Sequence, residues 1–157
     1  MKLAEALALR ADAARRVEQL RARVVASARF QEGEEPAEDA TALLTEAGAV
    51  LDQLELLIRR INRTNSAARI GPGEATITDA LARRDTLRLR HALIATGADA
   101  AAGRHEGGYG RQMRSELRML SALPVAELRA QADALALELR ELDTHIQRSN
   151  WEVDLLE

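Results

Sequence analysis

The sequence predicts a mainly all-α fold: an elongated antiparallel bundle of three long helices and one shorter helix. Alanine, leucine and arginine are abundant, and all three are strong helix formers. Apolar residues also recur at intervals of three and four residues, which is the spacing of one helix face. Short connections between long helices favour antiparallel neighbours. The length of 157 residues suits a single helical domain over 1–157.

The first helix is predicted over residues 2–30. Its apolar residues fall on one face, and arginine and glutamate side chains surround them. That face comprises Leu3, Leu7, Ala13, Val17, Leu20 and Val24. A helix of this length extends about 40 Å, which is more than a compact domain of this size requires, so we expect an elongated molecule.

The second helix, predicted over 39–65, has the clearest pattern of the chain. Its apolar positions alternate by three and four residues and form a heptad seam that ends on an asparagine. The seam comprises Leu44, Ala47, Leu51, Leu54, Ile58, Ile61 and Asn65, and a second row of Leu43, Val50 and Leu57 runs beside it. This stripe is wider than a two-stranded coiled coil needs and suits a bundle core.

The third and fourth helices are predicted over 79–96 and 125–151. Thr78 is the expected N-cap of the third helix, with Ile77 before the cap and Asp79 in the first turn. The fourth helix repeats the heptad spacing of the second, so the two have matching faces. The third helix fits one face less cleanly; its apolar residues are Leu81, Leu87, Leu89, Leu93 and Ile94.

Three segments break the helical pattern, at residues 31–38, 66–77 and 97–112. The last is predicted to be a glycine-rich loop, because it contains five of the nine glycines. Residues 113–120 then alternate between apolar or small and charged side chains, which predicts a short strand. Since a single strand leaves its backbone groups unpaired, it would pair with residues 69–77 or with the same strand of another copy.

The charge balance and the cysteine count exclude several classes of protein. The 22 basic and 25 acidic residues give a net charge of −3, so the chain as a whole has no electrostatic footprint for nucleic acid or anionic lipid. Without cysteine there is no disulfide, thiolate metal site or cysteine nucleophile. The N-terminal segment is too charged for a signal peptide and no run of about 18 apolar residues occurs, so we expect a cytoplasmic protein outside the membrane.

An antiparallel bundle would gather polar side chains at one of its two poles. The expected members are Asn62, Asn65, Arg83, Arg84, Asp85, Asn150 and Trp151. Amides and guanidinium forks hold donors and acceptors in fixed geometry, so this pole could bind an anion or another small molecule. We favour the competing structural interpretation, in which Asn65 sets the register of the seam, arginine–aspartate pairs stabilise the helices and Trp151 caps the core.

Neither catalysis nor a cofactor or metal is predicted from the sequence. The three histidines, His91, His105 and His145, lie on different segments. Only Glu141 and His145 share a helix face, which is too few ligands for a metal site. The Gly-Gly-Tyr-Gly run at 107–110 lacks the features of a phosphate or dinucleotide loop, and no serine has a nucleophile-elbow motif around it.

A run of arginines connects the second and third helices and comprises Arg59, Arg60, Arg63, Arg83, Arg84, Arg88 and Arg90. These side chains could contact the phosphates of a nucleic acid. Glu55 and Asp79, each one turn before an arginine, instead favour a solvated face of ion pairs. A nucleic-acid-binding coiled coil is therefore the third and least favoured function.

Five segments carry a family resemblance: MKLAEAL at the start, QEGEEPAED at 31–39, INRTN at 61–65, TDALARRD at 78–85 and LRELDTHIQRSNW at 139–151. With these segments the chain resembles the septicolysin-like family of small bacterial proteins, which implies a family without an established activity. The family label implies membrane damage, but the alternating segment at 113–120 is short and carries three charges, so we expect no pore. Three of the segments lie at the predicted pole, which favours a site there.

The apolar stripes exceed what a slender bundle of alanine-rich helices can bury. We therefore predict self-association, as a dimer or a closed ring such as a hexamer. The function that follows is a non-enzymatic, self-associating helical scaffold or interaction protein. The alternative is a protein, with or without enzymatic activity, that binds a small molecule or anion at the polar pole.

Overall fold

The protein folds as four helices and is all-α, as predicted. The computed structural model describes residues 1–71, 73, 75–104 and 118–157. The helices are α1 (Leu3–Ser27), α2 (Ala40–Ala67), α3 (Ile77–Ala101) and α4 (Val125–Glu152). The described residues contain no sheet, only two isolated bridges. None of the helices in these ranges combines the length and apolar character that spanning a membrane requires.

The start of α3 differs from the prediction. The helix begins at Ile77, so Thr78 lies inside the first turn and is not the N-cap. Ile77 is itself buried and helical instead of preceding a cap. α3 contains 25 residues, as many as α1, so the predicted shorter helix is wrong.

The end of α3 also lies further along the chain than predicted. Residues 97–101, predicted to open a glycine-rich loop, are helical, since one interior glycine costs a helix only about 1 kcal/mol. The helix stops where Gly103 adopts a φ of +75° and its N–H donates to the Ala100 carbonyl at 3.1 Å. The rest of that predicted loop, 105–112, lies outside the described residues.

The predicted strand at 113–120 is described only at its end. Residues 118–120 have no regular secondary structure, and residues 113–117 lie outside the described residues. Backbone pairing of 69–77 occurs within that segment itself: Ile70 N–H donates to the Ala75 carbonyl at 3.0 Å. Ile77 N–H likewise donates to the Ala68 carbonyl at 3.0 Å, which joins the start of α3 to the end of α2.

The chain forms two compact units. The first unit comprises Met1–Thr78 and Gln147–Glu157, and the second comprises Asp79–Ile146. The single-domain organisation over 1–157 stays a prediction.

In the first unit, α1 and α2 pack against each other as antiparallel helices. Arg16 pairs with Glu46, and Arg23, further along α1, pairs with Glu38 just before α2. The side chains buried in this unit include Leu3, Leu20, Leu43, Ile61, Ile70, Ile77 and Leu155. α2 begins at Asp39, whose Oδ1 accepts hydrogen bonds from the backbone of the first helical turn, as an N-cap does.

The two chain ends of the first unit pair with each other. Leu3 N–H donates to the Val153 carbonyl and Leu155 N–H to the Met1 carbonyl, both at 2.9 Å. Lys2 Nζ lies 2.9 Å from Asp154 Oδ1, and this hydrogen bond holds the pKa of the Asp154 carboxyl below its usual value. The segment after α4 is therefore fixed beside the start of α1.

In the second unit, α3 and α4 also run antiparallel. Gly97 faces Leu123 just before α4, while Arg83 near the start of α3 pairs with Glu138 at 2.6 Å. The buried apolar residues of this unit are smaller, and among the described ones they comprise Ala80, Leu87, Ala98, Ala132 and Ile146.

Candidate functional site

Four of the seven predicted site residues belong to the first unit. Asn62 and Asn65 lie in the last turns of α2, and Asn150 and Trp151 lie in the last turn of α4. Asn150 is buried and Asn65 is half-buried, whereas Asn62 and Trp151 are exposed. The Trp151 indole therefore does not cap the core, contrary to the structural interpretation of the sequence.

The best-defined polar contact at this end of the first unit involves Thr64, which is fully buried. Its Oγ1 donates to the Arg60 carbonyl at 2.8 Å and accepts from Leu156 N–H at 3.0 Å. Arg60 Nε donates to the Leu156 carbonyl at 2.9 Å, and Arg63 contacts the Glu157 carbonyl. These bonds attach the C-terminal segment to α2.

Thr64 lies between two predicted site residues, Asn62 and Asn65, but is not itself among the predicted site residues. The sequence signal for Thr64 is the row formed by Leu43, Val50 and Leu57, because Thr64 continues this row at the same seven-residue spacing. A hydroxyl that continues a buried apolar row must find hydrogen-bond partners in the protein. That row therefore could have predicted a buried polar contact, although not its partner.

The other three predicted site residues, Arg83, Arg84 and Asp85, belong to the second unit. The Arg84 guanidinium lies 3.2 Å from Asp85 and 3.9 Å from Asp143. Arg88 also pairs with Asp143, at 3.4 Å, and Arg83 pairs with a glutamate of α4. The guanidinium groups that were expected to bind an anion are thus already paired with carboxylates of the chain. The ligand site stays a prediction.

No cluster of metal-binding side chains occurs in the parts of the chain that the structure describes. No group of three or more histidine or carboxylate side chains there could hold a metal ion. Every buried side-chain nitrogen and oxygen among those residues has a hydrogen-bond partner. No orphaned polar atom in these parts points to a ligand.

The exposed apolar surface of α2 is the most distinct candidate site in the first unit. Leu44, Leu51 and Ile58, spaced by seven residues, form what we call the α2 stripe. Their exposed fractions are 59%, 48% and 39%. The neighbouring row begun by Leu43 is buried or half-buried and faces α1. Three of the seven positions of the predicted heptad seam are therefore exposed to water.

The borders of the α2 stripe are polar. Glu55, one turn before Ile58 on its outer side, forms an i,i+4 ion pair with Arg59 at 3.8 Å. Asn62 and Asn65 follow Ile58 by four and seven residues, so the stripe ends on the two asparagines that the sequence singled out. An apolar stripe with a polar rim is the usual anatomy of a protein interface.

Comparison with known proteins gives a family and a structural neighbour. A family model described as a family of unknown function, DUF6847, matches residues 10–155. A crystal structure of a functionally unknown conserved protein from Corynebacterium diphtheriae is 39% identical, with a TM-score of 0.89 and coverage of 99% of each chain. No curated protein matches this chain.

These matches correct the resemblance to septicolysin-like proteins, which is wrong. Neither the family model nor the structural neighbour has a link to that family. The segments behind the resemblance lie mostly on helices and are rich in alanine, leucine, arginine and glutamate. Many unrelated helices share this composition because it favours helix formation, so such segments identify a family poorly.

Proposed function

The chain belongs to DUF6847, a family of unknown function, and we propose that it is a non-enzymatic scaffold or interaction protein that assembles with further copies of itself. The observation that carries this proposal is the α2 stripe: three large aliphatic side chains at seven-residue spacing that stay about half exposed. Heptad spacing is the pattern that lets one helix pack along another.

The energy available from the α2 stripe indicates a weak association. Full burial of a leucine or isoleucine contributes about 1.5–3 kcal/mol, and about half of that surface is still exposed here. Two copies that bring their stripes together would gain roughly 4–9 kcal/mol, which is comparable to the cost of association. With the cost at the lower end of its range, about 5 kcal/mol remains, so the assembly should depend on protein concentration around a dissociation constant of about 200 μM.

The two asparagines at the end of the stripe support a register for this pairing. A polar side chain at one seam position lowers stability but penalises misaligned pairings, because its hydrogen-bonding groups would then meet apolar side chains. Asn65 occupies such a position and is half-buried. In this proposal Asn62 and Asn65 align two copies instead of binding a ligand.

The decisive experiment is sedimentation velocity at several concentrations up to about 200 μM, a range that covers weak dimers. The native chain should show a concentration-dependent dimer or larger species. Leu51→Glu should lower the average mass by removing the contact through the α2 stripe, since the glutamate would have to be desolvated in that interface.

The matched control is Leu56→Glu, the same substitution on the same helix at a side chain that is 55% exposed but lies off the stripe. It should leave the association unchanged. A monomeric native chain throughout the series, or equal losses in the two variants, would contradict the proposal. Circular dichroism on each variant checks that the helices are retained.

A further inference from the structure

A second exposed seam lies on α3, in the second unit. Its six residues are separated by four, three, four, three and four positions, which is heptad spacing. They are Ala82, Thr86, Leu89, Leu93, Thr96 and Ala100, and we call them the α3 stripe. All six are exposed, with the two central leucines 72% and 73% exposed.

The α3 stripe lies opposite the buried face of the same helix. Ala80, Leu87 and Ala98 are buried, and at 100° per residue they project about 180° away from Leu89. α3 is therefore apolar on two opposite faces, of which only one is covered. A helix that packs against its own protein on one face only usually carries polar residues on the opposite face.

Thr86, one of the two threonines of the stripe, is compatible with an apolar contact. Thr86 Oγ1 lies 3.2 Å from the Ala82 carbonyl and 2.9 Å from the Arg83 carbonyl, to which it donates within its own helix. This hydroxyl already has a partner, so packing against Thr86 leaves no orphaned donor. The stripe can thus be buried at Thr86 without this cost.

Charges beside the stripe identify its occupant and orientation. One flank carries Asp85, Ala92 and Asp99 at seven-residue spacing, and the other carries Arg83 and Arg90. If two α3 helices paired antiparallel, each flank would meet the same flank of the second copy. Asp85 would then face Asp99 of the second copy, and Arg90 would face its own counterpart. If they paired parallel, opposite flanks would meet, and Asp85 would face Arg90 of the second copy.

We propose that two copies of this chain pair through the α3 stripe as a parallel, in-register, two-stranded coiled coil. Each stripe residue then contacts its own counterpart, with Leu89 and Leu93 at the centre and Asp85–Arg90 pairs on both sides. This interface is separate from the α2 stripe and does not depend on it. A chain with two such self-complementary surfaces can build assemblies larger than a dimer.

The orientation can be tested with single cysteines, because the natural chain has none. Thr86→Cys and Thr96→Cys are made separately and oxidised at about 100 μM, in the concentration range of weak dimers. In a parallel pair each cysteine meets itself and forms a disulfide-linked dimer. In an antiparallel pair the two equivalent cysteines would lie about 15 Å apart, beyond disulfide reach.

We expect each variant to cross-link at least about tenfold faster than the control Arg140→Cys, an exposed position on α4 away from this seam, since disulfides need Cα atoms within about 7 Å. Adding Leu89→Glu should remove this excess. Adding Leu51→Glu should leave it unchanged, which separates this proposal from that of the α2 stripe.

Two results would overturn the parallel coiled coil. Cross-linking only in a mixture of the Thr86→Cys and Thr96→Cys chains would establish the antiparallel arrangement. Rates equal to those of the Arg140→Cys control would show that α3 does not pair with a second copy, and a partner of another kind would then have to cover the stripe. Circular dichroism of each cysteine variant confirms that the fold is retained.

Discussion

The two units differ in what their interiors contain. In the first unit, large aliphatic side chains such as Leu3, Leu20 and Ile61 are almost fully buried. Among the described residues of the second unit, three of the five buried apolar side chains are alanines. Since alanine removes little apolar surface from water, the second unit gains less from its own interior.

This difference has a consequence for assembly. Both units leave large apolar side chains more than half exposed, for example Leu44 and Leu56 in the first and Leu89 and Leu93 in the second. In the second unit, whose interior is smaller, ion pairs at the surface connect α3 with α4. Exposed ion pairs contribute only about 0–1 kcal/mol each. We therefore expect the first unit to keep its structure by itself and the second unit to gain stability from a partner.

The largest expected effect is on the buried hydrogen bonds of the first unit. Thr64→Val keeps the size of the side chain but removes the acceptor for Leu156 N–H and the donor to the Arg60 carbonyl. We expect the free energy of unfolding to fall by about 1–3 kcal/mol, because buried polar groups lose their partners. Urea unfolding measures the loss, and hydrogen exchange should show the Leu156 amide opening first.

Thr64→Ser is the control for this prediction, since it retains the hydroxyl and removes only a methyl group. It should cost about 1 kcal/mol and leave the Leu156 amide protected. Equal exchange rates in the two variants would mean that the hydroxyl does not fix the C-terminal segment.

A smaller effect is expected for the ion pairs of the second unit. Asp143→Asn removes the carboxylate that lies 3.4 Å from Arg88 and 3.9 Å from Arg84. We expect a loss below about 1 kcal/mol that shrinks further in high salt. Thermal unfolding at low and high ionic strength measures it. A loss as large as that of Thr64→Val would contradict the contrast between the two units.

The smallest effect on stability is expected for an ion pair of the first unit, and it should appear only as a dependence of stability on pH. The Arg23 guanidinium donates hydrogen bonds to Glu38 at 2.9 and 3.2 Å and holds the pKa of that carboxyl below its ordinary value of 4.5. A lowered pKa in the folded state adds stability above the ordinary pKa, and this contribution is lost as the pH falls through the folded value.

Glu38→Gln should therefore lower the melting temperature at neutral pH, and this difference from the native chain should shrink as the pH falls through the lowered pKa of the folded carboxyl. Glu55→Gln, which breaks an exposed pair with a longer distance of 3.8 Å, is the comparison variant. A constant difference between Glu38→Gln and the native chain across this pH range would exclude the ion pair as its cause.

The sequence predicted most of the helices because their signals are local. The seam of α2 and the breaks around residues 31–38 and 66–77 predicted four helix boundaries to within three residues. The end of α3 was missed because Gly97 is tolerated inside a helix, whereas Gly103 stops it through a left-handed φ. Nothing in the residue types alone distinguishes those two glycines.

The apolar pattern of α3 illustrates what sequence reasoning could not separate. Leu87, Leu89 and Leu93 fit one helix face poorly because they serve two: Leu87 is buried, and the other two belong to the exposed stripe. The docking of the C-terminal segment on Thr64 was equally out of reach. Its bonds join residues 92 positions apart, and no local periodicity encodes them.

By itself, the amino-acid sequence determined the all-α class and the heptad rows, because both follow from backbone propensity and from spacing along one helix. Only the tertiary structure decided which rows are covered and which side chains remain in water. Burial is a property of neighbours brought together by folding, so the stripes of α2 and α3 became candidate interfaces once the packing of each unit was known.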